Sequence, residues 1–207
     1  MEPSASVLTT PQKIYSLWKE REDQIQKVSP AGRTIRIIGF DPGGTIGWSV
    51  MEITYDALND QNLSRTEKVT GWWHGQLRSD DEDVEMPEPV SIEVCTAIIE
   101  NSLSLADDIA VVSEDYQIRS SRTDKQTISP IRLLAGLEQN VWSMGRRIQK
   151  QMPSEKSGAT DERLKNWGFY APGSQHARDA DRHALIFMAK LAAKKSLQRK
   201  FFPNLDI

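Results

Sequence analysis

The sequence has a single cysteine, Cys95, among its 207 residues. An internal disulfide framework is thereby excluded, as is any zinc centre built on cysteines. Cys95 lies in an apolar helical pattern, where a thiol serves as small buried filler. The chain also lacks any apolar run approaching the length of a membrane span, and its first residues lack the basic-then-apolar pattern of a secretory signal. The expectation is a cytoplasmic protein, made and kept in one compartment, with no membrane partner. Histidine is scarce too: His74 has no metal-binding neighbour in sequence and reads as a strand-end residue, while His176 and His183 fall close together near the end.

A strong net charge is also missing. The value of −3 is not that of a typical nucleic-acid binder, yet it hides an asymmetry. From Tyr116 onward the chain carries 17 Lys and Arg against 8 Asp and Glu, a balance of +9, whereas the preceding part carries 9 against 21, or −12. Part of the acidic excess is one run, Asp80 to Pro89, with the composition of a solvated loop. A basic half suits a polyanionic partner, and it equally suits solvated helix faces. A hydrophobic content of 38% and this length are enough for one domain with a sizeable core.

The chemistry that is present gathers first at Arg36-Ile37-Ile38-Gly39-Phe40-Asp41-Pro42-Gly43-Gly44-Thr45-Ile46-Gly47-Trp48-Ser49-Val50. The β-branched residues Ile35, Ile37 and Ile38 favour a buried strand, and Pro42, which cannot donate to a sheet ladder, ends it. The glycine-rich turn returns the chain into a second strand through about Tyr55. The pattern predicts a hairpin with Asp41 at its tip, either as a turn residue or as a functional acid. A third strand, Val69 to Leu77, completes an antiparallel meander. Its Trp72-Trp73 pair suits base stacking or, as is usual for aromatics in strands, the covering of a core.

Apolar spacing from Val90 to Leu105 predicts a helix, and Ile109-Ala110-Val111-Val112-Ser113-Glu114-Asp115 reads as a strand buried on both faces that again ends in acid. A right-handed helical crossover places this strand parallel to the first, with its acids at the same edge as Asp41. Successive residues point to opposite faces, so only one of Glu114 and Asp115 can join Asp41, and periodicity does not choose between them. Arg119, Arg122 and Lys125 follow in a Ser- and Thr-rich stretch suited to contacting phosphates. A helix is predicted from Ser129-Pro130 to about Gln149, then a short strand near Gln151, a flexible segment from Ser154 to Thr160, and a small capped helix at Thr160 to Leu164.

The last helix reads His176-Ala177-Arg178-Asp179-Ala180-Asp181-Arg182-His183-Ala184. At helical periodicity His176, Asp179 and His183 share a side, and Asp181 lies roughly opposite Asp179. These residues serve a helix N-terminus and a satisfied core as well as they serve a site. Taken with acids ending two adjacent strands, they are the oxygen-rich set that a pair of hard divalent cations requires for in-line phosphoryl displacement.

These residues resemble the RuvC-type Holliday-junction resolvases of the ribonuclease H-like superfamily, particularly phage-encoded members. Ile38-Gly39-Phe40-Asp41-Pro42-Gly43 matches the first strand, Val111-Val112-Ser113-Glu114 the acid-ending fourth strand, and His176-x-x-Asp179-Ala180 the closing helix. The likeness spans about Arg36 to Lys190. It implies an α/β fold with a five-stranded mixed sheet, three antiparallel strands then parallel ones, flanked by helices. It further implies a homodimer that nicks branched DNA such as four-way junctions. Residues 1–32 would form an N-terminal extension bearing an amphipathic helix, 33–200 the nuclease domain, and 201–207 a tail. Asp41, Glu114, His176 and Asp179 would be catalytic residues and ligands for two Mg²⁺ ions, with Mn²⁺ able to substitute. His176 stands where many relatives carry a fourth acid, so it would act as a ligand or as a proton donor toward the water nucleophile. His183 would play a supporting part, and Arg119, Arg122 and Lys125 would contact DNA. Localisation would be the host cytoplasm for a phage-encoded chain. Two rival readings are a non-catalytic junction-binding protein and an actin-like or sugar-kinase-type phosphotransferase. The second needs another phosphate loop and a Gly-Gly adenosine motif, and neither occurs.

Overall fold

The computed structural model describes residues 27–77, 87–116 and 125–207, the first four residues of the last segment in their backbone alone. Nearly all of the expected N-terminal helix, most of the acidic run, and Arg119 and Arg122 lie outside the described residues. Lys125 is described only as the first residue of a helix.

Strand β1 (Thr34–Asp41) is buried on both faces from Ile35 onward. It pairs antiparallel with β2 (Ile46–Thr54), Asp41 lying opposite Gly47. Two short helices, α1 (Tyr55–Asn59) and α2 (Arg65–Lys68), lead to β3 (Val69–Leu77). Helix α3 (Glu88–Leu105) then crosses to β4 (Asp108–Glu114), which runs parallel to β1. Helix α4 (Lys125–Ser143) crosses in turn to β5 (Ile148–Gln151), parallel to β4. After a 3₁₀ helix (Pro153–Gly158) come α5 (Asp161–Asn166), α6 (Gln175–Ala193) and α7 (Lys195–Phe201). The sheet has five strands in the order β3-β2-β1-β4-β5, the mixed sheet expected from the sequence.

Alternation along the strands divides the core into two layers. Ile35, Ile37, Ala110 and Val112 face α6 and pack with Ala184, Phe187 and Leu191. Ile38, Phe40, Ile109 and Val111 face α3 and α4 and pack with Cys95, Ile99 and Leu137. Phe202 and Leu205, beyond α7, are buried in the α6 layer, and Leu205 bridges to Val28.

The helix expected to reach Gln149 stops at Ser143. Gly145 adopts φ +70°, a left-handed conformation that ends the helix and frees Ile148 to begin β5. Arg146 therefore does not serve a helix terminus. It pairs with fully buried Asp108 at 2.5 Å, and burial raises that carboxyl while Arg146 opposes the shift. Pro130 falls inside α4 instead of opening it. The segment expected to be flexible, Ser154 to Thr160, is largely the 3₁₀ helix.

Helix α6 approaches the sheet closely, because two glycines leave no side chain in the way. A Cβ on Gly39 would stand 2.5 Å from the Ala180 carbonyl oxygen, and one on Gly47 would collide with the His176 carbonyl. Both obstacles are backbone and cannot rotate aside. Gly39→Ala recovers about 0.5–1 kcal/mol of strand entropy but overpacks this seam at a cost of about 1–3 kcal/mol or more. Its expected outcome is a net loss of stability, read as a lower urea midpoint at unchanged slope; a raised midpoint would contradict the close approach.

Candidate active site

Asp41 is the last residue of β1 and Glu114 the last of β4. Phe40 lies opposite Ser113, so the two acids end neighbouring parallel strands at one edge of the sheet. The question periodicity left open is resolved by the layers. Glu114 is in step with Ala110 and Val112, which face α6, while Asp115 is out of step with them.

The seam at Gly39 and Gly47 sets the first turns of α6 over these strand ends. His176 Nδ1 lies 2.8 Å from Asp41 Oδ2, and the His176 N–H donates to Gln76 Oε1 at 3.1 Å. One turn on, Asp179 points toward the same edge. Arg182 grips its other oxygen with one arm of the guanidinium and Asp161 with the other, and its Nε donates to the Ala159 carbonyl at 2.9 Å. Fully buried His183 is held by Gln151 Oε1 at 2.7 Å from Nδ1, and its Nε2 lies 3.0 Å from Glu114 Oε2. Asp181 points the other way, as its helical phase requires, and accepts from Trp72 Nε1 at 2.7 Å and pairs with His74 Nδ1 at 2.7 Å. His74 is thus the partner of a buried carboxylate rather than a bare strand end, and Trp72 covers α6 while Trp73 stays about half exposed.

The centre of the cluster is a cation. Lys156 Nζ, carried by the 3₁₀ helix, lies 2.7 Å from Glu114 Oε2, 2.8 Å from Asp179 Oδ2 and 3.7 Å from Asp41 Oδ1. The ammonium marks where three carboxylates converge, which is the position a hard metal ion would share. Asp41, Glu114 and His183 also offer ligand atoms within 4.8 Å of one another. Oxygen donors with one imidazole suit a divalent cation.

The electrostatics differ from acid to acid. Burial raises the Asp41 carboxyl, and the hydrogen bond from His176 and the charge of Lys156 only partly offset it. Burial also works against ionised Glu114, but hydrogen bonds from His183 and Lys156 outweigh it and hold the group at about 2. Burial alone would lower the Lys156 ammonium, yet bonds to Asp179 and Glu114 and the charge of Asp41 keep it well above the ordinary lysine range. The hydrogen bond to Asp41 raises His176, with burial opposing, so imidazolium persists to higher pH than in a free chain.

The structure brings Asp41, Glu114, His176 and Asp179 to one place. The sequence reading missed Lys156, Arg182, Asp161 and Gln151, and gave His183 only a supporting part. One signal for Lys156 was in the chain. Whatever follows β5 emerges at the edge where β4 ends, because the two strands are parallel.

No family model matches the chain, and no curated protein sequence does. Its structure is similar to that of RuvC from Thermus thermophilus in complex with a Holliday-junction substrate, with a TM-score of 0.51 at 16% identity over 76% of this chain and 96% of that one. The Thermus thermophilus RuvC structure gives a TM-score of 0.50 at 16% identity, over 75% and 96% of the respective chains. The fold is RuvC-type and ribonuclease H-like.

Glu114 moves from an ordinary 4.5 to about 2 on folding. A carboxyl lowered on folding contributes stability above the unfolded value and loses it as pH falls through the folded one. In the metal-free protein Glu114→Gln is therefore expected to flatten the acid limb of the stability profile between pH 4.5 and 2, measured by urea unfolding at stepped pH. An acid limb as steep as that of the parent would show that the pairing with His183 and Lys156 is not made.

Proposed function

We propose that this protein is a structure-selective DNA endonuclease that resolves four-way junctions or other branched DNA by metal-dependent hydrolysis of phosphodiester bonds. The observation that carries the reading is the convergence of Asp41, Glu114 and Asp179, from β1, β4 and α6, on a single cationic point. The fold supports it, since the Thermus protein of the same fold was solved with a Holliday-junction substrate.

In this reading Asp41, Glu114 and Asp179 hold two Mg²⁺ ions, which Mn²⁺ can replace, and the two histidines border them. Bound metal would stabilise the attacking and leaving oxygens of an in-line displacement. The protein's own groups do the rest. Arg182 fixes Asp179 from behind through a fork whose other arm is committed to Asp161, and Gln151 fixes the ring of His183. His176 stands at the mouth with its side chain 42% exposed and one nitrogen bound to Asp41. It is placed either to give a proton to the leaving oxygen or to orient water. Arg119, Arg122 and Lys125 would contact DNA phosphates, and a homodimer would set one site on each of two strands. An N-terminal extension before residue 33 and a cytoplasmic location belong to the same proposal, and residues 201–207 pack on the nuclease domain through Phe202 and Leu205.

One observation favours the rival reading of a junction-binding protein that does not cut: the carboxylates are already paired with Lys156. Cleavage of a labelled four-way junction, with and without Mg²⁺, separates the two. The expected outcome is paired nicks near the crossover with Mg²⁺ alone, and at least about a hundredfold slower cutting by Asp41→Asn, the loss that several kcal/mol of transition-state stabilisation entails. Binding of the junction without nicks by either protein would replace the nuclease by the scaffold, and neither binding nor cutting would sink both readings.

A further inference from the structure

We infer that Lys156 is the resident cation of the metal-free site and that a divalent ion enters by displacing its ammonium, an inference that rests on the metal-dependent reading above. Nζ lies within ion-pair distance of all three carboxylates, at the one point they share. An ammonium and a metal ion cannot both occupy that point, since they need the same oxygens and their charges repel at contact. Metal loading is therefore an exchange of cations.

The geometry is arranged for the ammonium to leave and the carboxylates to stay. The side chains of Asp41, Glu114 and Asp179 are 9, 14 and 10% exposed, whereas that of Lys156 is 27% exposed, so the ammonium reaches in from the solvent side. Its flexible four-carbon stem can swing out without backbone movement. The helix that carries it is anchored next door by Glu155, which pairs with Lys190 of α6. Departure would release Asp41 Oδ1 and Asp179 Oδ2 and would leave Glu114 Oε2, which Lys156 and His183 share, to His183 and the incoming ion. Each acid keeps a partner of its own: Asp41 keeps His176 on Oδ2, Asp179 keeps Arg182 on Oδ1, and Glu114 keeps His183. The cluster is thus held open in one geometry with either cation.

The exchange has two readouts that need no turnover. Mn²⁺ affinity, measured by electron paramagnetic resonance on the full chain, is expected to tighten by roughly tenfold or more in Lys156→Met, because the competitor is gone. In the parent protein, reductive methylation followed by mass spectrometry is expected to modify Lys156 slowly in EDTA and several-fold faster once Mn²⁺ is added. This second arm stands even if the variant does not fold. Equal or weaker Mn²⁺ binding by Lys156→Met overturns the inference while leaving the metal site in place. So does tighter binding with no change in Lys156 labelling, which would mean that the charge acts from a distance and does not move. Binding of Mn²⁺ by neither protein overturns the metal-dependent reading as well.

Discussion

The site depends on the absence of two side chains. Where α6 crosses β1 and β2, Gly39 and Gly47 let the helix backbone rest on the strand backbone, and Ala180 and Ala184 keep the opposing surface small. That distance decides everything at the edge of the sheet. With a larger residue at either glycine the helix would ride higher, and His176 and Asp179 would lose their reach to Asp41 and Lys156. Small residues bury little apolar area, so the seam itself contributes little hydrophobic energy. The layer is stabilised further along α6, where Phe187, Met188 and Leu191 meet the sheet and the segment after α7.

A second constraint is the accounting of charge. Burial first, and then the charges of its acidic neighbours, make Asp41 resist ionisation. Each of the three carboxylates therefore has a partner, supplied by α6 or by the 3₁₀ helix: His176 for Asp41, His183 and Lys156 for Glu114, Arg182 and Lys156 for Asp179. The fold can hold an acidic cluster because the pairing is distributed. A buried acid that loses its partner costs about 3–5 kcal/mol, and Lys156 gives Glu114 and Asp179 a second one.

Much of this arrangement was legible in the sequence. The β-branched run before Asp41, the apolar run before Glu114 and the helical phase of His176, Asp179 and Asp181 depend on periodicities of two and 3.6, which survive folding because they are local. What was not legible had tertiary causes. The choice of Glu114 over Asp115 required knowing which layer Ala110 and Val112 face. The end of α4 at Ser143 turned on the left-handed Gly145, with the favourable apolar pattern continuing past it. Lys156 lay in a stretch whose composition resembles a loop, and only the parallel pairing of β5 with β4 brings it to the acids. His74 lacked a partner nearby in sequence because Asp181 is supplied from across the fold.

Cys95 sits on the opposite side of the sheet from all of this, fully buried among Ile99, Leu137 and Val141, with burial pushing its thiol up to about 12. As the only sulfhydryl in the chain, it is nearly inert while the α3 and α4 layer is closed, since both access and thiolate are lacking. Its rate of reaction with an alkylating reagent thus clocks the opening of that layer alone. The molecule carries its own stopwatch for one half of its core, and disturbances confined to the acidic edge leave that clock unchanged unless they loosen the whole sheet.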